Sequence, residues 1–121
     1  MKSSQSRNPN ETRIEEINKK WEKILRLTSR EAVIKAMEEY DRLGSKEFLH
    51  LYHFENTKGN LYIEHEGKFY LCKAIAGVAY GYQYPEHGQL RADEDEDGVA
   101  SAAALGKFGF TIHHYLLIPG S

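Results

Sequence analysis

The apolar residues of this chain change their spacing twice, and those two changes decide what it can fold into. Ile14, Ile17, Trp21, Ile24 and Leu25, then Ala32, Val33, Ala36, Met37, Tyr40 and Leu43, recur at steps of three and four, the period of one helical face. At Leu61 the period gives way to two short aromatic and β-branched runs, 61–65 and 68–71, around Glu66-Gly67. Such runs predict a hairpin turned at a glycine. From Cys72 to Tyr80 the pattern is helical again, weakened at Gly77 by about 1 kcal/mol relative to alanine.

The boundaries follow from local chemistry. An amphipathic helix is predicted from Ile14 to Leu27. Thr28-Ser29-Arg30-Glu31 reads as a capping box, the Thr28 hydroxyl taking a free N–H and Glu31 reaching back. Gly44 stops that second helix, and Ser45 caps a third over 46–52 with Phe48, Leu49 and Tyr52 inward. Residues 81–97 read as a long loop with Pro85, Gly88 and the acidic run Asp93-Glu94-Asp95-Glu96-Asp97, and loops of that length are functional or mobile. Asp97 is expected to cap a last helix, Val99 to Lys107, which Gly109 breaks. Phe110-Thr111-Ile112 supplies a third strand. The expected fold is therefore α+β, a small antiparallel sheet (the hairpin plus a C-terminal strand) with several helices on one face. Residues 1–10, polar and broken at Asn8-Pro9-Asn10, are expected to be a disordered lead-in, and 11–121 one domain.

A single cysteine, Cys72, leaves no internal disulfide and no Cys-x-x-Cys zinc pair. No apolar run approaches the roughly 18–20 residues of a membrane span, and no secretory leader opens the chain, so a cytoplasmic location away from membranes is expected. Net charge is −2, but residues 1–46 carry 11 Lys/Arg against 8 Asp/Glu and residues 47–121 carry 5 against 10. The basic stripe of a strong non-specific DNA binder is missing from that distribution.

Catalytic motifs are weak. Glu66-Gly67-Lys68 formally fits the carboxylate-x-lysine half of a metal-dependent nuclease, but Gly67 most simply makes the hairpin turn. His50 and His53 stand at i and i+3, yet none of the six histidines joins Cys72 in a recognised ligand spacing. The acidic run lacks the closing Glu of a calcium loop, and the simpler reading is a solvated lead into a helix cap. Phosphate-loop, dinucleotide and nucleophile-elbow motifs are absent, so no metal site or cofactor is expected. Binding chemistry has the better case. Tyr80-Gly81-Tyr82-Gln83-Tyr84 offers stacking faces and an amide able to read a base edge, and Lys68, Lys73 and Arg91 flank it as phosphate contacts. The competing reading is that some of these tyrosines, Tyr80 above all, close the core.

Several segments then resemble a known family. Ala32-Val33-Ile34-Lys35-Ala36, Glu39-Tyr40-Asp41-Arg42-Leu43-Gly44, Glu47-Phe48-Leu49 and Tyr52-His53-Phe54 are similar to the opening of the ScoMcrA-like N-terminal head domain, found ahead of HNH nuclease domains in modification-dependent restriction endonucleases. Glu66-Gly67-Lys68 with Tyr70, the run from Lys73 to Tyr82, and Leu105, Phe108-Gly109-Phe110 and Ile112 continue the likeness in order, over about residues 30–112. Where the family reads something like Phe-Ser-Gly-Gly before its last helix, this chain has Glu94-Asp95-Glu96-Asp97-Gly98. No HNH constellation follows Ile112. The resemblance implies a recognition or accessory module of DNA restriction.

Three functions remain open from the sequence. The first is a non-catalytic DNA-binding module, reading modified DNA through Tyr80, Tyr82, Gln83 and Tyr84 with Lys68, Lys73 and Arg91 on phosphates. The second is a protein-interaction module docking onto a nuclease or other protein, with Ile17, Trp21 and Ile24 as its contact face unless that face covers its own core. The third, more remote, is a small metal-dependent nuclease using Glu66. The sequence does not define an oligomeric state.

Overall fold

Ser29 starts the first long helix. Its backbone is extended (φ −93°, ψ 105°) and its hydroxyl accepts the Ala32 N–H at 3.0 Å, satisfying a donor that has no partner within the helix. The cap falls one residue after the expected Thr28, because the Thr28 hydroxyl is taken up by Gln83. In this computed structural model, which describes residues 21–56, 61–95 and 97–114, helix α1 (Arg30–Leu43) turns Ala32, Val33, Ala36 and Met37 into the core. Tyr40 and Leu43 are only partly covered. Gly44 ends α1 at φ +88°, its N–H donating to the Tyr40 carbonyl at 2.8 Å.

Helix α2 (Ser45–Leu51) follows at once, with Gly44 rather than Ser45 at its cap. Phe48 is its buried residue and packs between the rings of Tyr40 and Tyr52, 5.1 and 5.0 Å away. Of the helix expected from Ile14, residues 21–25 are described and helical. There Ile24 and Leu27 are 1% and 0% exposed, and Trp21 packs against the core. This stretch covers its own body, so Ile24 is not available to the docking face considered for it, and Trp21 is only partly exposed. Ile14, Ile17 and the lead-in 1–10 lie outside the described residues.

Strands β1 (Leu61–His65) and β2 (Lys68–Leu71) form the expected hairpin, with Ile63 opposite Tyr70 and His65 opposite Lys68. Both turn residues, Glu66 and Gly67, have positive φ, the backbone twist that lets a two-residue turn match two twisted strands. Strand β3 (Thr111–His114) pairs antiparallel on the other side of β1, giving the order β2-β1-β3. It begins one residue after the expected Phe110, which is drawn into the core at 8% exposure beneath the Arg30 guanidinium. Ile63, Tyr70 and Ile112 share the helix-facing side of the sheet. Glu64, Phe69 and His113 share the other, where His113 Nε2 lies 2.7 Å from Glu64 and its ring 5.2 Å from Phe69.

Helix α3 (Cys72–Gln83) is the centre of the molecule, buried without interruption from Cys72 to Tyr80. It runs three residues past the expected end and shortens the long loop accordingly. Gly77 is the reason the returning chain can cross it. A Cβ there would lie 2.8 Å from the Leu90 carbonyl oxygen and 2.9 Å from Phe54 Cζ, while the Leu90 N–H donates to the Gly77 carbonyl at 3.1 Å. After a 3₁₀ turn at Ala92–Glu94, helix α4 (Val99–Gly106) starts from Gly98 in the left-handed conformation. Its first donors go to two acids, Asp97 taking Val99 N–H at 3.0 Å and Asp95 taking Ser101 N–H at 2.7 Å. The expected Asp97 cap is thus shared with Asp95.

Candidate nucleic-acid interface

The aromatic segment at the end of α3 is an internal bracket. Tyr80 is 2% exposed and its ring packs 4.8 Å from that of Tyr84, tilted by 44°. The Tyr82 hydroxyl donates to Glu39 on α1, which also accepts from Tyr52 at 2.6 Å, and the Lys35 ammonium sits 4.6 Å over the Tyr82 ring. Burial, reinforced by the Glu39 carboxylate, pushes the Tyr82 hydroxyl above the usual phenol range, so it stays a donor. Gln83 Oε1 accepts the N–H groups of both Thr28 and Ser29 (2.9 and 3.0 Å), while Nε2 donates to Thr28 Oγ1 at 2.8 Å and to the Tyr84 hydroxyl at 3.2 Å. Tyr84 in turn donates to the Arg26 carbonyl at 2.8 Å. These four residues are brought together; Tyr80 closes the core and Tyr82 ties α3 to α1, while Gln83 and Tyr84 hold the 26–29 link between the helical stretch 21–25 and α1.

The three cations proposed beside them go to three different places. Lys68 donates to Asp41 on α1 at 3.2 Å, a carboxylate shared with the Tyr70 hydroxyl. Lys73 is 4% exposed with its own partners in the fold, and Gly98 packs beside its Cδ. Arg91 is exposed and pairs with Asp93 at 3.2 Å. The acidic run is likewise mostly committed: Glu94 to Lys23 at 2.7 Å, Asp95 and Asp97 to the start of α4, while Glu96 lies outside the described residues. Glu66 is exposed in the hairpin turn, and among the described residues no three His, Cys, Asp or Glu side chains are grouped to hold a metal ion.

A different set of cations converges where sequence reasoning did not look. Arg30 Nη1 donates to the Phe108 carbonyl at 3.0 Å and its guanidinium lies 4.5 Å over the Phe110 ring. Lys107 Nζ donates to the Leu25 carbonyl at 3.3 Å. Those two bonds bring the 25–30 link against the 107–108 turn, so Arg26, Arg30 and Lys107, all exposed, stand on one surface. Among the described residues none of the three has a carboxylate within ion-pair distance, in contrast to Lys23, Lys68 and Arg91. Carbonyl oxygens orient a cation without neutralising it. The positive end of the α1 dipole at Arg30 adds to the same field. No spacing in the sequence signals this patch, because Lys107 stands 77 and 81 positions from Arg30 and Arg26 and is brought to their link by two carbonyl contacts.

The family model of the ScoMcrA-like, N-terminal head domain covers residues 26–114, from Arg26 to the last residue of β3. No curated protein and no solved structure matches the chain.

Proposed function

The chain belongs to the ScoMcrA-like N-terminal head domain family, and from that premise we propose that it is a non-catalytic DNA-contacting module of a restriction-system protein, engaging the phosphate backbone through Arg26, Arg30 and Lys107. The observation that carries the reading is the absence, among the described residues, of a carboxylate partner for any of the three. Cations already paired gain little by meeting a phosphate, because they must first give up an ion pair. Cations held by carbonyls displace only water and release the counterions of the duplex. Discrimination of modified from unmodified DNA belongs to this proposal, as does action in the cytoplasm; among the described residues no helix is long and apolar enough to cross a membrane.

The test is a fluorescence-anisotropy titration on paired duplexes, unmodified and carrying methylated or phosphorothioated sites, repeated across salt concentrations. Arg30→Ala and Lys107→Ala should each weaken binding to every duplex and make the salt slope shallower by about one. Lys68→Ala should leave it unchanged. Equal binding by wild type and the Arg30→Ala/Lys107→Ala double variant would end the proposal. The second reading, a head that docks onto a nuclease, is favoured by Leu51 on α2, a large apolar side chain left 53% exposed. Failure to bind any duplex at low salt, with retained binding to a nuclease subunit that Leu51→Ser abolishes, would establish that reading instead.

A further inference from the structure

His53 occupies a position where the fold sets its backbone and makes no use of its side chain. It follows the end of α2 with φ +65°, and the Phe54 N–H returns to the Leu49 carbonyl at 2.8 Å, the chain reversal that favours glycine or asparagine in the left-handed region. The reversal needs the backbone conformation and makes no use of an imidazole. The His53 side chain is exposed and has no partner within the described fold. Glu66, the other non-glycine residue at positive φ among the described residues, is accounted for by the hairpin turn.

The imidazole stands at a cleft of about 520 Å³ lined by Tyr52, His53, Gln89, Arg91, Ala92 and Asp93. Gln89 Nε2 donates to the carbonyls of Tyr52 and Leu90, at 2.9 and 3.3 Å, which fixes the amide and leaves Oε1 as an acceptor. Arg91 and Asp93 add a guanidinium and a carboxylate, 3.2 Å apart and both exposed. The cleft therefore presents donors, acceptors and a flat ring, with its charges offset. A phosphate would meet the Asp93 carboxylate, and a metal ion would lack a third ligand. A neutral planar molecule with donors and acceptors along one edge suits all of these groups at once.

We infer that this cleft is a nucleobase subsite, with His53 as the stacking face and Gln89, Arg91 and Asp93 reading the base edge. The inference extends the proposed function from phosphate contact to base contact, and rests on it only for nucleic acid as the source of the base. Arg91, read from the sequence as a phosphate contact, becomes an edge-reading group.

The full chain would be tested with three probes: dCMP and dGMP free in solution, a short labelled single strand, and the same strand with its bases removed at the centre. His53→Gly removes the ring while supplying the residue the backbone prefers, so its melting temperature should be unchanged or raised. Its affinity for the intact strand, and that of Gln89→Ala, should fall roughly tenfold, with no change for the abasic strand. In NMR titrations the two mononucleotides should shift the amides of residues 52–53 and 89–93. Unaltered affinity of both variants for the intact strand, or mononucleotide shifts absent from those residues, would overturn the assignment. Loss of duplex binding in Arg30→Ala/Lys107→Ala with the mononucleotide shifts intact would separate this site from the phosphate patch; shifts without any duplex binding in wild type would sink the proposed function and leave the subsite standing.

Discussion

Single residues in this molecule are most informative where their type and their place conflict. Gly77 lowers helix propensity in the centre of α3, and the sequence registers only that weakness; its purpose is visible once Leu90 and Phe54 are seen lying against it. Gly77→Ala should therefore destabilise the protein by about 2–3 kcal/mol in chemical denaturation, although alanine is the better helix former. The opposing contact is a backbone carbonyl that cannot rotate away. Cys72 is the reverse case, a reactive residue made inert. It is 0% exposed, and burial, with the charge of Asp95 behind it, pushes its thiol up to about 12. A thiol reagent at neutral pH should leave the native protein unmodified and label it at the rate of global unfolding, which stopped-flow measurement in denaturant can check.

At the scale of elements, the period of the apolar residues predicted the helices and the hairpin closely, and the hairpin to the residue, because β pairing around a two-residue turn leaves no freedom in register. The ends of elements were less legible. Thr28 and Ser29 are equivalent caps by type, and a side chain from α3, more than fifty positions away, decides between them. Gln83 was legible as a functional amide but not as the clamp between the 21–25 helical stretch and α1. Gln83→Ala leaves two backbone N–H groups without their acceptor and should cost about 1–2 kcal/mol; it should also weaken DNA binding, since Arg26 and Arg30 flank the released link. The same stretch is held from its other side by Lys23 and Glu94. Partial burial of the Glu94 carboxyl works against its ionisation, but the Lys23 ammonium and the Arg91 N–H overcome it and hold the group below its ordinary 4.5. A lowered folded value means stability that is complete above 4.5 and is lost as the pH falls through the folded value. Glu94→Gln should accordingly melt lower than wild type at neutral pH and show a flatter decline in acid.

For the whole molecule, net charge concealed the arrangement of charge. A total of −2 argues against a strong DNA binder, yet it sums cations tied into ion pairs, Lys23, Lys68 and Arg91 among them, with others such as Arg26, Arg30 and Lys107 that have no carboxylate partner among the described residues. Sequence reasoning could weigh Lys68, Lys73 and Arg91 only by their proximity to the tyrosines, whereas Arg30 and Lys107 are brought together by carbonyl contacts across the fold, with Arg26 in the link they fasten. The three proposed phosphate contacts imply a slope near −2.7 in a plot of log affinity against log salt, so that duplex affinity should fall by about 40-fold between 50 and 200 mM. A slope near −7 would mean that further cations join the surface.

The position of β1 has a consequence for how the chain reaches this state. One of its neighbours follows after a two-residue turn, whereas the other pairs Glu64 with Thr111, after α3 and α4 have been traversed. Hairpins close in about 1–10 μs, and long-range pairing waits on the entropy of closing the intervening chain. During that wait β1 is an edge strand with open hydrogen-bonding groups and Ile63 not yet covered. Copies that meet in this interval can pair with one another in place of β3, so refolding yield should fall with protein concentration even though the finished sheet keeps β1 in its interior.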